Sequence, residues 1–368
     1  MDFSPSDSYS VGVELEFQIL DRNELNLVPL APVLIEQSPE LLKSRLSIEF
    51  IKSILEVQTG VCTNLRDVEN DLLQTISLAE ELAAEHGAIL YAASLHPFAR
   101  AFDQELSEDQ RYERIMEELQ IVGRRFISQG LHVHVGMPDG DTAIKVCNVV
   151  QAFLPLFLTL SSSSPFYQAR DTGLMSYRTK LFEVLPLAGI YSHFTNWNHF
   201  VRELDYLKGH GIIGSFRDLW FDTRPNYEFG TVEIRVCDLP SRFSDLLAMV
   251  ALIQCCVVWI AEQIERAEPL HRMVLKANKW QAARHGLDGR FVDPTGLLGE
   301  DALHYRSAAK VLKQRLAPFA AQLRCEHYFN QLDAIISGGT GADLMRDIYR
   351  RTGDFHTVVT EVQKRFWE

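Results

Sequence analysis

Val11-Gly-Val-Glu-Leu-Glu-Phe17 reads as a β-strand with two chemically different faces. Successive side chains on a strand point to opposite sides, so Val11, Val13, Leu15 and Phe17 face one way while Glu14 and Glu16 face the other. Two later stretches have the same format. Leu131-His-Val-His-Val135 places His132 beside His134, and Thr231-Val-Glu-Ile-Arg-Val236 places Glu233 beside Arg235. If these strands share a sheet, one face is hydrophobic core. The other presents three glutamates, two histidines and an arginine from rigid elements.

Each motif alone has a bland explanation. A single Glu-x-Glu is more often a solvated face, a lone His-x-His is commonly structural, and Glu-x-Arg is usually an ion pair. Three motifs of matching polarity in one chain are more specific. Two carboxylates at i and i+2 lie ~7 Å apart and repel by about 2 kcal/mol at an effective dielectric of ~20. Glu49 and Glu56, in the strand-like runs 46–55 and 55–59, add to the cost. Five acids sharing a site call for divalent cations between them. Oxygen ligands with one or two imidazoles suit Mg²⁺ or Mn²⁺ better than zinc, and such hard cations usually hold nucleotide phosphates.

Composition bounds the rest. The chain has 368 residues, 46% hydrophobic and 23% charged, as an ordinary folded protein does. A net charge of −13 without a Lys/Arg run excludes a nucleic-acid surface. The apolar stretches 146–160 and 246–261 fall short of the ~20 residues a bilayer needs, so they read as buried helices and no membrane partner is expected. The N-terminus lacks a signal-peptide pattern, and the six cysteines form no CxxC pair. Reduced core thiols and a cytoplasmic location follow as expectations.

Asn64 and Asp67 resemble the start of a helix that runs to Gly87, and 88–93 reads as a buried strand. Ser107 is expected to cap a helix through about Arg125, and Asp141 to begin another that Pro155 bends. Beyond about Ser241 the periodicity is helical, with apolar faces available to the core or to a second copy of the chain. Ser161-Ser-Ser-Ser-Pro-Phe-Tyr-Gln-Ala-Arg-Asp-Thr-Gly173 is rich in hydroxyls and, with Arg178, suggests anion binding; Arg170 and Arg178 suit bidentate capture of a carboxylate or phosphate. Arg224 lies just ahead of the third strand. Ser337-Gly-Gly-Thr-Gly341 lacks the Gly-Lys-Ser/Thr ending of a phosphate loop and reads as a helix connection.

Taken together, Val11–Gln18, Leu55–Cys62, Gly130–Gly136, Ser164–Gly173, Ser176–Arg178 and Gly230–Val236 resemble, in order, the signatures of the bacterial type 2 glutamate–cysteine ligases. These are carboxylate–amine ligases of the glutamine synthetase superfamily. The resemblance implies an α+β fold, with a curved antiparallel sheet whose concave face forms an ATP and metal site, helices on the other face, and a helical C-terminal region. It implies one catalytic domain over residues 1–368, with the motif-bearing sheet in 11–240 and helices in 241–368.

The implied reaction is ATP-dependent and ADP-forming, joining a carboxylate, that of glutamate, to an amine, that of cysteine or a relative, through an acyl phosphate. By similarity Glu14, His132 and Glu233 hold one Mg²⁺ (or Mn²⁺), and Glu16 and Glu56 a second with Glu49 nearby. His134 approaches the nucleotide phosphates, Arg224 and Arg235 act catalytically on the transferring phosphoryl group, and Arg170 and Arg178 bind the substrate carboxylate. The segment 161–173 is the expected lid over the acyl phosphate. Tyr167 and Ala169 stand where the family often has Trp and Gly, Leu174-Met175 replaces a smaller or aromatic pair, and Ser94-Leu precedes His96-Pro97 in place of Gly-Thr. Two alternatives remain at this point: a non-catalytic nucleotide-binding relative, against which the complete acid set argues, and a cupin-like metal site, which lacks its glutamate after the second histidine.

Overall fold

In the computed structural model, which describes residues 1–7, 9–299 and 304–368, the three alternating stretches are neighbours in one sheet. The strands are β1 (Val11–Asp21), β2 (Leu46–Ile48), β3 (Ile54–Gln58), β4 (Ala88–Tyr91), β5 (Leu131–Gly136), β6 (Phe166–Tyr167), β7 (Arg170–Asp171), β8 (Thr223–Asn226) and β9 (Thr231–Cys237). The main sheet is open and antiparallel, in the order β2-β3-β1-β5-β9-β8, and β4 pairs with the far end of β1. A register shift between Leu131 and Val133 in the β5–β9 ladder adds local twist.

Alternation decides which face is covered. Val11, Val13, Leu15 and Phe17 are each at most 1% exposed and join Val133, Ile234 and the apolar side of the helix Leu65–Glu85 in the main core. Asn64 starts that helix by accepting from the backbone N–H groups of Arg66 and Asp67. Past Phe17 both faces of β1 are buried, because Leu20, Tyr91, Phe166, Met345 and Val358 form a second apolar cluster. The polar face is thus open along Gly12 to Glu16 and closed beyond.

Several elements differ from their sequence reading. The run 46–55 is not one strand: β2 ends at Ile48 and β3 starts at Ile54, because the chain folds back to pair Ser47 with Glu56. The helix expected from Ser107 is shorter, Gln110–Leu119, capped by Asp109 and stopped at Gln120, whose φ is 49°. Asp139, not Asp141, caps Gly140–Val150, and the chain bends by 65° into Leu154–Ser161, with Pro155 in the first turn of the second helix, where its missing N–H costs nothing.

The helix Phe243–Gln263 is longer than its apolar run suggested and would span a bilayer by length and composition. It is instead 89% buried inside the protein over its apolar window. It packs on helices Gly140–Val150 and Tyr305–Gln322 and on β5, so much of the apolar surface of the C-terminal region belongs to the core.

Candidate active site

Register sets the site before any side chain is considered. Glu16 stands opposite Glu56, and Glu14 opposite His132. A row crosses four strands from Gly12 through His134 and Glu233 to Arg224. Every polar residue of the three opening motifs therefore reaches one face.

Two acid groups result. Glu14, His134 and Glu233 bring one potential ligand atom each within 4.8 Å of one another, and Glu16, Glu49 and Glu56 do the same. In this distance-based group His134 stands with Glu14 and Glu233, whereas the family resemblance names His132, which also borders Glu14. His132 Nδ1 lies 3.0 Å from Glu14 Oε2, and its Nε2 points between the groups, 4.0 Å from Glu16 Oε1. His134 Nδ1 is fixed by Thr231 Oγ1 at 2.9 Å, leaving Nε2 3.2 Å from Glu14 Oε1.

The groups differ electrostatically. Burial opposes ionisation of Glu14, but the charge of His134 and hydrogen bonds from both histidines hold its carboxyl well below the usual range. Burial likewise opposes the Glu233 charge, and Arg224 and Arg235 overcome it. Arg224 Nε donates to Glu233 at 2.7 Å, and Arg235 pairs with the same carboxylate. In the second group burial wins. It pushes Glu16 up to about 8, helped by Glu49 and opposed by Arg178 and Arg235. Burial and the charges of Glu14, Glu49 and Glu16 raise Glu56 well above its ordinary value, and burial raises Glu49 as well. Burial with Arg235 lowers His132 to about 4, so it is a neutral imidazole.

This donor set fits divalent cations. Glu16 Oε2 and His132 Nε2 are buried and have no hydrogen-bond partner. Partnerless buried atoms of this kind are costly. Five carboxylates and imidazole nitrogen are the ligands of Mg²⁺ or Mn²⁺.

The second acid group opens into a cleft of about 270 Å³, lined also by Arg111, Tyr112, Arg217, Trp220, Arg224 and Arg235. Arg111 and Arg217 went unnoticed in the sequence because neither belongs to an alternating strand motif. Arg111 is on the helix Gln110–Leu119 and Arg217 on a short turn before β8. A second cavity, about 340 Å³, meets the same sheet face at Glu14 and His134 and is walled by Gly12, Gly60, Val61 and Phe229. Val61 is 78% exposed and Phe229 58%, so the apolar wall is open to a ligand.

The family model for glutamate-cysteine ligase family 2 matches residues 10–361. The chain belongs to that family. It is 37% identical over 367 residues to a Gloeobacter violaceus protein named "Putative glutamate--cysteine ligase 2", covering 98% of each chain. A Rubrobacter xylanophilus relative, "Putative glutamate--cysteine ligase 2-1", is 36% identical over 355 residues, covering 96% of this chain and 94% of the relative. The fold is similar to that of Francisella tularensis glutamate–cysteine ligase, solved in complex with AMP, with a TM-score of 0.70 at 14% identity, covering 100% of this chain and 90% of that one. A Pasteurella multocida bifunctional glutathione synthetase gives the same TM-score at 13% identity, covering 97% of this chain and 52% of that one. Family membership carries the reaction class: this is an ATP-dependent carboxylate–amine ligase.

Within this family member, the hydroxyl-rich segment has a different role from the one its composition suggested. Ser161 to Ser164 are at most 1% exposed, and the anion that Ser163 and Ser164 serve is internal. Asp238 accepts from Ser163 N at 2.9 Å, Ser164 Oγ at 2.6 Å and Ser176 Oγ at 2.8 Å. A stretch anchored in this way cannot act as a lid. The later part, 166–171, is the β6–β7 hairpin, with Gln168 and Ala169 at φ 49° and 58°. Both central residues are left-handed, which is why glycine suits the position of Ala169.

Arg170 is exposed on that hairpin and does not line the cleft. Arg178 is 2% exposed, its guanidinium donating to the backbone oxygens of Arg235 and Val236, with Nε partnerless. It braces the strand that carries Arg235. A second brace comes from the C-terminal helix Arg272–His285. Lys279, 4% exposed, reaches Asp222 at 2.6 Å and Glu183 at 3.2 Å, and Asp222 O accepts from Arg235 N at 2.9 Å.

Proposed function

We propose that the chain joins the γ-carboxyl group of glutamate to the amine of cysteine, or of a small relative, in two steps. A carboxylate oxygen attacks the γ-phosphorus of ATP and ADP leaves; the amine nitrogen then attacks the acyl carbon and phosphate leaves. The observation that carries this reading is the convergence of two acid groups on one sheet face with four arginines, Arg111, Arg217, Arg224 and Arg235, lining the cleft above it. Phosphoryl transfer needs positioning and charge neutralisation more than covalent help.

In this reading Glu14, His134 and Glu233 hold one Mg²⁺ or Mn²⁺, and Glu16, Glu49 and Glu56 a second. His132, neutral and bonded to Glu14, orients that carboxylate and offers Nε2 toward the second ion. When bound, the ions neutralise phosphate charge and allow the carboxylates to ionise together. The cavity beside Gly12, Gly60, Val61 and Phe229 takes the nucleotide base, because it is apolar and meets the first acid group. The arginine-lined cleft takes the carboxylate substrate. Arg224 and Arg235, locked on Glu233, are pre-positioned toward the transferring group.

The test is ADP release and product mass with purified protein, ATP, Mg²⁺ or Mn²⁺, glutamate and cysteine, followed by a panel of other carboxylates and amines. Substrate-dependent ADP and an amide of matching mass are expected. No such ADP with any pair would overturn the proposal, and an amide from another pair would keep the reaction while replacing the substrates.

A further inference from the structure

The connection Ser337-Gly-Gly-Thr-Gly341 joins the helices Leu332–Gly338 and Gly341–Thr352. Beside it lies a cavity of about 230 Å³ that shares no lining residue with the acid cleft, walled by Ser241, Arg242, Asp245, Ile335, Thr340 and Asp347. Two helices begin at its edge, Phe243–Gln263 after Arg242 and Gly341–Thr352 after Thr340. Helix starts present unpaired N–H groups and partial positive charge.

Three side chains here are unpaired among the described residues. Ser241 is 3% exposed, yet its Oγ has no hydrogen-bond partner. A Cβ on Gly341 would lie 2.6 Å from that Oγ, so the hydroxyl stands against the first turn of the second helix, and glycine leaves it room. Arg242 Nε is buried without a partner. Asp245, one turn into the first helix, makes no ion pair and no side-chain hydrogen bond, and burial raises its carboxyl against the pull of Arg242. The other acids are already engaged: Asp343 accepts from Thr340 N at 2.8 Å, and Asp347 pairs with Arg350.

An unpaired guanidinium N–H and an unpaired carboxylate in one small cavity, not bonded to each other, are complementary to a molecule with both charges. A simple anion would satisfy Arg242 and Ser241 while facing Asp245. A simple cation would do the reverse. We propose that this cavity binds a free amino acid, its carboxylate on Arg242 and Ser241 and its ammonium on Asp245. A volume of about 230 Å³ accommodates a free amino acid. The inference is independent of the ligase reading.

The test is isothermal titration of the whole chain, free of metal and nucleotide, with glycine, L-alanine and L-serine, and with acetate and methylammonium as half-charged controls. A saturable 1:1 heat with at least one amino acid and none with either control is expected. Arg242→Gln and Asp245→Asn are each expected to weaken it roughly tenfold or more, as loss of a charge-assisted hydrogen bond does, and Arg224→Gln to leave it unchanged. Ser241→Ala removes only a hydroxyl and decides the matter, by weakened binding, if the charge variants do not fold. No saturable heat with any of the three amino acids would overturn the proposal. So would equal binding of acetate or methylammonium, or loss of the heat in Arg224→Gln with retention in Arg242→Gln and Ser241→Ala.

Discussion

Replacing Glu56 by glutamine has opposite effects with and without metal. The ligand oxygens of Glu16, Glu49 and Glu56 lie within 4.8 Å of one another. Two full charges at that distance repel by about 3 kcal/mol at an effective dielectric of ~20, so three pairs would cost roughly 10 kcal/mol. Without metal the protein avoids this by binding protons, as the raised carboxyls of Glu16, Glu49 and Glu56 record.

A carboxyl raised on folding stabilises fully below its unfolded value and loses that contribution as pH rises through the folded value. Glutamine has no proton to take up. At pH 8 in EDTA, Glu56→Gln is therefore expected to be more stable than the parent by about 1–3 kcal/mol, or roughly 1–4 °C in a chain of this size. The two converge near pH 4.5. With Mn²⁺ or Mg²⁺ at a thousand times Kd the order reverses, because the parent gains about 4.1 kcal/mol and the variant has lost a ligand. Thermal unfolding in a pH series, with and without metal, measures both halves. A variant less stable than the parent in EDTA at pH 8, or one with the same metal increment, would refute the reasoning.

Other outcomes follow from the same structure. The metal-free parent is expected to lose thermal stability between about pH 4.5 and about 8 through Glu16, and the increment from added Mg²⁺ to grow over that window; an increment independent of pH would count against the second acid group as a cation site. Phe229→Ala should raise KM for ATP several-fold while leaving KM for the carboxylate substrate near its parent value, measured by steady-state ADP release. Ala169→Gly should stabilise the protein by about 1 kcal/mol, because it relieves a left-handed alanine; calorimetry checks it. Lys279→Met, which leaves Asp222 buried and unpaired, should cost about 3–5 kcal/mol in denaturant unfolding.

Much of the sheet was legible because alternation is a local signal. Val11 to Phe17 declares both of its faces without knowledge of its neighbours, and the two other motifs repeat the pattern. Which histidine joins which acids was not legible. His132 and His134 share a face, and only the cross-strand register, with Glu233 opposite His134 and Glu14 opposite His132, distinguishes their neighbours. The serine run misled for a related reason: hydroxyls signal an anion, but composition does not say that the anion is the chain's own Asp238. Arg111 and Arg217 reach the cleft through tertiary packing and leave no periodic trace. Ala169 was noticed as a departure from the family, and the hairpin turn supplies its physical meaning.

The Lys279–Asp222 pair bears on how the molecule comes apart. It ties a helix far along the chain to the loop that feeds Arg224 and holds the backbone of Arg235. A protein cut after the sheet would keep every acid of the site yet leave Asp222 without its cation, so the acids alone do not make a transplantable module. Because that tie is buried, order in β9 and in the helix Arg272–His285 is expected to be lost together, which hydrogen exchange would show as matched protection of the two elements.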